Sequence, residues 1–460
     1  MSSLPNRRAA FVGEARSTLI LAIPLVIGQL CSMGQGVVEM MLAGHLDAHT
    51  LGAVAIGANL FVLPVMAING VMMAVPAMVA QLDGAGRRGE VAGLFRQSLW
   101  LCFALGVALA LVTWLAGGAA IEAIGAPSGL AGDVGAFLSA SALGLPAIAL
   151  YFTCRGLATG LSRARTAMVF ALLGLGLLVP VGAVLVYGGF GLKPLGAMGC
   201  GLAGAAVNWI QAIAFWAWLR FGPDRAALSP KARDFRPDSQ AIGAMLRLGL
   251  PMAGSILLEV GAFSFASLAI SRFGEVAAAS YQVALNVVGV TFMVPLGLSM
   301  AMTVRVGLAA GRRDKAGARL AGLAGLAIVL LTQTLSAATL VTAPRWIAAL
   351  YTPDTAVTAG AAMLLLLAGL FQFSDGIQVA ASGALRGLKD TRVPMAICLV
   401  AYWGVAVPLG LALAFGWDMR APGMWIGLIG GLTAAAGLLF ARFMRLTRPA
   451  RVRETRTVAA

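Results

Sequence analysis

The sequence predicts an all-α integral membrane protein: twelve transmembrane helices in two pseudo-symmetric six-helix lobes around a central cleft. Three observations carry that prediction. The 460 residues are 60% hydrophobic and only 11% charged, whereas soluble domains carry roughly a quarter of their residues as charges. Apolar stretches of about 20 residues, enough to cross a bilayer core, recur along the whole chain. Prolines and glycines return at a nearly constant offset, so the second half repeats the first.

The apolar stretches lie near 18–43, 51–80, 94–117, 133–158, 167–190, 196–219, 243–271, 277–307, 317–340, 356–385, 394–416 and 421–445. Prolines and glycines interrupt many of them, which spanning helices tolerate when neighbouring helices re-satisfy the backbone. The first stretch is too long for a signal-peptide core and has no clear cleavage site, so it reads as a span. Basic residues orient the set. With the N-terminus inside, the outer loops keep only Lys193, Arg272, Arg345 and Arg420 of the 33 Lys and Arg. That asymmetry is the positive-inside pattern and predicts both termini in the cytoplasm. The net charge of +15 thus follows from loops facing anionic headgroups, not from a nucleic-acid surface. Cys31, Cys102, Cys154, Cys200 and Cys398 all fall inside spans without CxxC spacing, so no disulfide framework is expected.

The repeat is explicit. Pro24 answers Pro251, Pro64 answers Pro295, Gly86 answers Gly311, Gly160 answers Gly387, Pro180 answers Pro408 and Gly199 answers Gly423, at offsets of 224 to 231 residues. The predicted units are an N-terminal lobe over 1–222, a cytoplasmic linker over 223–242 and a C-terminal lobe over 243–460 with a basic tail. Six spans per half is an even number, so both halves insert the same way round. They are parallel repeats, an arrangement that places a cavity between lobes and suits alternating access.

Three acids fall within spans: Glu39, Glu259 and Asp375. A carboxylate at bilayer depth costs about 2.5–3.5 kcal/mol on translocon scales, so each marks a candidate site. Asp375 belongs to a stripe with Gln372, Gln378 and Ser382 on one helix face, and Glu259 shares a face with Ser255. Gln282 and Asn286 are four apart on the next span. These faces predict one hydrated pocket in the second half. Two carboxylates there repel, and a bound cation or proton relieves the repulsion. Arg155, Arg305 and Arg386 read as lying towards the cytoplasmic ends, which leaves the acids without a deep basic partner. Glu39 is close to an outer loop and reads equally as an interfacial acid. His45 and His49 read as a solvated outer turn rather than a metal site. No Walker A, G-x-S-x-G or Rossmann motif appears, so neither an enzyme, an ATP-driven pump nor a cofactor is expected.

The motifs "VVEMMLAGHL", "VAQLDGAGRR", "LEVGAFSFA", "SYQVALNVVGVTFMVPLGLSMAMTVRVG" and "FSDGIQVAASGALRGLKDTRVP" resemble the multidrug and toxic compound extrusion (MATE) family, and its NorM-like bacterial branch most. The resemblance runs over essentially the whole chain. It implies a monomeric exporter of the bacterial inner membrane. It also implies cationic, amphipathic drugs as cargo and inward H+ or Na+ as the coupling ion. The branch's coupling acids match Glu259 and Asp375, where Na+ would bind, and its first-span acid matches Glu39. Two departures stand out. Phe371 occupies a place where the family often has tyrosine, and Leu178 and Gly182 flank Pro180 where many members have asparagines. The missing hydroxyl weakens a sodium site, leaving Gln282, Asn286 and Gln372 as supporting oxygens, and tips the expectation towards protons. Two rivals remain: a flippase for a lipid-linked precursor, whose cavity needs arginines or lysines, and a channel, which needs acid rings made by oligomerisation.

Overall fold

The computed structural model describes residues 7–125, 127–189, 191, 193–222 and 236–448. The first half comprises α1 (Arg7–Leu46), α2 (Ala48–Met72) continued by α3 (Ala74–Gly84), α4 (Val91–Ala123), α5 (Ser128–Ala142), α6 (Leu145–Gly160), α7 (Ala164–Tyr187) and α8 (Gly196–Phe221). The second half begins with α9 (Ser239–Ser271), α10 (Glu275–Gly311), α11 (Lys315–Thr342), the short α12 (Pro344–Ala349) and α13 (Thr355–Gly387). Its eleventh span is composite: α14 (Arg392–Leu399), a π-helical stretch Val400–Ala406, α15 (Val407–Leu411) and a second π-helical stretch Ala412–Gly416. The last helix is α16 (Arg420–Leu446). Among the described residues, 11 helical segments are long and apolar enough to cross a membrane, and the bent pair α5–α6 brings the number to 12. Large apolar side chains face outward, as lipid permits: Leu115, Leu331 and Leu335 are all exposed.

Several helices are longer than the apolar runs that predict them. At 40 residues, α1 extends about 60 Å, twice the hydrocarbon thickness, so its ends project beyond it. Aspartates stop or start several helices: Asp47, Asp238, Asp314 and Asp354 cap the N-termini of α2, α9, α11 and α13 by accepting backbone N–H bonds. The cap at Asp238 starts α9 inside the expected linker, while residues 223–235 and the tail after Arg448 lie outside the described residues. The fourth span, expected as one run, bends by 43° between α5 and α6. Pro146 in the first turn of α6 has no N–H to return to α5.

Each lobe has its own aromatic core. Phe170 stacks on Phe215 at 4.3 Å in the first, and Tyr281, Phe371 and Trp425 cluster in the second. The lobes meet along α1, α2 and α3 against α9 and α10. At this seam Gly70 lies against the backbone of Ala253, and Gly297 against that of Val26. Further along, Gly84 lies against the carbonyl of Leu308 and Gly311 against that of Gln81. Each pair is the other's image at the same 227-residue offset, so the internal repeat is a real two-fold relation at the seam. On α3 and α10 the seam reaches the helix end, at Gly84 and Gly311, while on α1 and α9 it runs through the middle, at Val26 and Ala253.

Candidate functional site

On the other side of the seam the helices part around a cavity of about 710 Å³. It is lined by α1, α2, α5, α6 and α8 from one lobe and by α9, α10, α13 and α14 from the other. Phe61, Met66, Phe152, Phe263, Phe292 and Met293 make most of its wall apolar. A roomy apolar cleft with few convergent polar groups has the character of a small-molecule site.

Glu39, Ser255, Glu259, Phe371, Asp375, Gln378 and Ser382, all singled out in the sequence, line this one space. Asp375 is 2% exposed. Its Oδ2 and the Oε1 of Gln378 are buried without a hydrogen-bond partner. Asp375 lies within electrostatic reach of Glu259. The Glu259 carboxylate in turn faces Tyr402, Gln378 and Arg386. Phe371 closes the wall edge-on to Phe263 at 6.0 Å. Glu39 belongs to the opposite lobe, packed beside Gly204 of α8 so closely that a Cβ there would come within 2.7 Å of its Oε1. By the 227-residue offset, Glu259 corresponds to Ser32 and Asp375 to Ile148, which also line the cavity. The acid pair therefore belongs to one lobe only.

Three expected supporting residues lie elsewhere. Gln372 is fully buried between helices, donating to Thr291 Oγ1 at 2.6 Å and accepting from Gln333 at 2.7 Å. Gln282 and Asn286 are exposed on α10, outside the lining, and Asn286 donates back to the Gln282 carbonyl. Helical spacing identifies their common face correctly but not the neighbour that face meets.

The expectation that no basic residue reaches the acids is corrected. Arg155 and Arg386 both line the cavity, whereas Arg305 lies away from it, paired with Glu14. Helical side chains point back towards their helix N-terminus, so a long arginine near the end of α6 or α13 reaches up into the cleft. Arg155 donates to Gln29 Oε1 at 3.0 Å and Asn69 Oδ1 at 3.1 Å, with its guanidinium 4.6 Å from the Phe152 ring centroid. Arg386 donates to the Ser299 hydroxyl. Tyr402 is a further residue that sequence reasoning misses. It reaches Glu259 from behind the cavity wall, on the π-helical stretch whose widened turn shifts the register that a 3.6-residue period predicts.

Outside the cleft, His45 and His49 belong to different helices. The first ring lies 2.7 Å from the Met41 carbonyl and the second 2.8 Å from Asp133. The five cysteines are buried and free.

Known proteins share this outline. The MatE family model matches twice, over residues 24–185 and 251–411. The chain is 44% identical over 451 residues to "Probable multidrug resistance protein NorM" of Xanthomonas campestris pv. campestris, spanning 97% of each. It is 37% identical to "Multidrug resistance protein PmpM" of Pseudomonas aeruginosa, covering 97% of this chain and 94% of that one. A solved structure, "Outward-facing conformation of a multidrug resistance MATE family transporter of the MOP superfamily", superposes with a TM-score of 0.87 at 20% identity, covering 97% of this chain and 99% of its own. The doubled match, the full-length relatives and the shared fold agree: the chain belongs to the MatE family of membrane transporters, the multidrug and toxic compound extrusion family.

Proposed function

We propose that the protein is a secondary active multidrug exporter. It exchanges cationic amphipathic compounds for inward H+ or Na+ by alternating access of the cleft. One observation carries the reading: Glu259 and Asp375 share an apolar cavity in which Asp375 Oδ2 and Gln378 Oε1 lack partners. Each buried polar atom left unpaired costs about 1–3 kcal/mol. A proton on the acid pair, or a cation among these oxygens, removes that cost. Release of the ion restores it, which gives the transporter two states of different charge to bias. The aromatic and methionine wall suits an amphipathic cargo, and the relatives bearing multidrug resistance names support that substrate class.

In this reading the lobes 1–222 and 243–460 move as bodies tethered by residues 223–242. The protein works as a monomer in the bacterial inner membrane with both termini cytoplasmic, so the open cleft faces outward. Proton coupling is favoured because Phe371 offers no oxygen, although Tyr402 returns one hydroxyl near Glu259. Dye efflux from proteoliposomes under separate sodium and pH gradients tests the whole proposal. Export driven by a proton gradient alone supports it, and no response to either gradient refutes it.

Arg155 and Arg386 favour a second reading, a flippase for a lipid-linked pyrophosphate. Arg155 is already held by two amide oxygens and an aromatic face, and Arg386 by Ser299 beside Glu259, so cationic cargo remains the better match. Transfer of a pyrophosphate lipid between leaflets with no dye efflux would reverse that order.

A further inference from the structure

A second cavity, of about 550 Å³, opens at the end of the bundle where α7 begins. Ser17 and Ile20 of α1, the turn before α7, Trp218 of α8 and Arg305 of α10 surround it. Three arginines, Arg163, Arg165 and Arg305, line it together. Arg305 shares its charge with Glu14, whose two oxygens accept from Nε at 2.7 Å and Nη2 at 2.6 Å.

The internal repeat tells what is different here. At the 227-residue offset the turn Ser162–Thr166 corresponds to Lys389–Val393, and Ser162 and Lys389 both take positive φ, 61° and 60°. In the second lobe this turn supplies its own anion: Asp390 accepts from Arg442 Nε at 2.9 Å, and its side chain is mostly buried. In the first lobe Arg163 stands where Asp390 would be. Trp218 stands where Arg442 would be, at the 224-residue offset of the last helix in each lobe. Arg165 keeps the place of Arg392. The acid that fills this position in one lobe is thus replaced by a base in the other, and an open space lies among the bases.

The surroundings select the anion. Alongside the cavity α1 exposes Leu19, Ile20 and Ile23, and the packed α7 exposes Val169 and Leu172. These apolar faces continue away from the arginines into the span. A tryptophan beside arginines at a helix end is the composition of a membrane interface, and basic pockets between spanning helices hold lipid phosphates. We propose that this groove binds the phosphate headgroup of an anionic glycerophospholipid, with its acyl chains lying along α1 and α7.

The test titrates purified full-length protein in neutral detergent with phosphatidylglycerol, phosphatidylcholine or inorganic phosphate and counts retained lipid by native mass spectrometry. Phosphatidylglycerol should be retained in preference to phosphatidylcholine. Arg163→Gln with Arg165→Gln should weaken it roughly thirtyfold, each base near a headgroup being worth on the order of fivefold. The pair Arg163→Lys and Arg165→Lys should restore most of the binding. Arg312→Gln with Lys315→Gln, an equal loss of charge at another turn, should leave it unchanged. The proposal is overturned by wild-type retention in the Gln pair, by loss in the Lys pair, or by equal loss in the control pair. Equal binding of phosphatidylcholine, or displacement by millimolar phosphate, overturns it as well.

Discussion

Gly84 at the end of α3 rests directly against the carbonyl of Leu308 on α10, with no room for a Cβ between them. Gly84→Val must therefore push backbone aside, an overpacking strain of about 1–3 kcal/mol. The variant should show a lower melting temperature and impaired efflux. Gly93 is the control: a methyl added there meets nothing within 4 Å, so Gly93→Ala should match or slightly exceed wild-type stability. A Gly84→Val protein that melts and transports like wild type would show that the seam yields freely.

Asp375→Asn should leave the protein inserted and folded while abolishing ion-driven efflux. The amide keeps the shape of a side chain that accepts nothing at Oδ2, but it can neither release a proton nor hold a cation by charge. Full transport by a well-expressed Asn variant would remove Asp375 from the coupling site.

Glu259 and Asp375 should act as one unit. They lie within electrostatic reach of each other, and interacting acids titrate as a pair. Glu259→Gln combined with Asp375→Asn should then cost little more transport than either change alone. Losses that add in free energy would argue for two separate ion sites.

Tyr402→Phe removes a buried hydroxyl that faces the Glu259 carboxylate. Stability should change by no more than about 1 kcal/mol, while the pH profile of efflux shifts because Glu259 loses the facing hydroxyl. Phe371→Tyr does the opposite, adding an oxygen at the cavity wall, and should increase any sodium response. An unaltered pH profile in Tyr402→Phe would leave that hydroxyl without a part in coupling.

Single cysteines at Arg236 and Arg448 should react with impermeant reagents only from the cytoplasmic side. One at Trp417, which is 71% exposed, should react only from outside. Labelling of position 236 from outside would invert the topology and with it the direction of the cleft.

The spans are legible in the sequence because long apolar runs have few other uses, and the acids because a carboxylate in such a run is conspicuous. The two-fold repeat is legible in Pro24 and Pro251, yet the residues that make the seam, Gly70 and Gly297, are not, since glycines are common in membrane helices. Arg155 and Arg386 escape because depth is counted along the chain, whereas a guanidinium ends several ångströms from its Cα. Gln372 escapes for another reason: its partner, Gln333, comes from α11, and no periodicity within α13 reveals it. Tyr402 depends on a π-helical turn, which local composition does not announce.

The glycine seam also sets how the bundle can move. It is built mostly from backbone and small side chains in direct contact, with Gln81 donating to the Gly387 carbonyl across it, and dispersion is short-ranged: a gap of 0.5–1 Å already forfeits about a quarter to a half of it. Little is gained by separating the lobes partway, and no long side chain at Gly70, Gly84, Gly297 or Gly311 can stretch to keep hold. The closed end thus behaves as a snap fastener, either fully engaged or fully released. Its grip should vary little with salt, because among the described residues Glu14 and Arg305 form the one carboxylate–guanidinium pair across it.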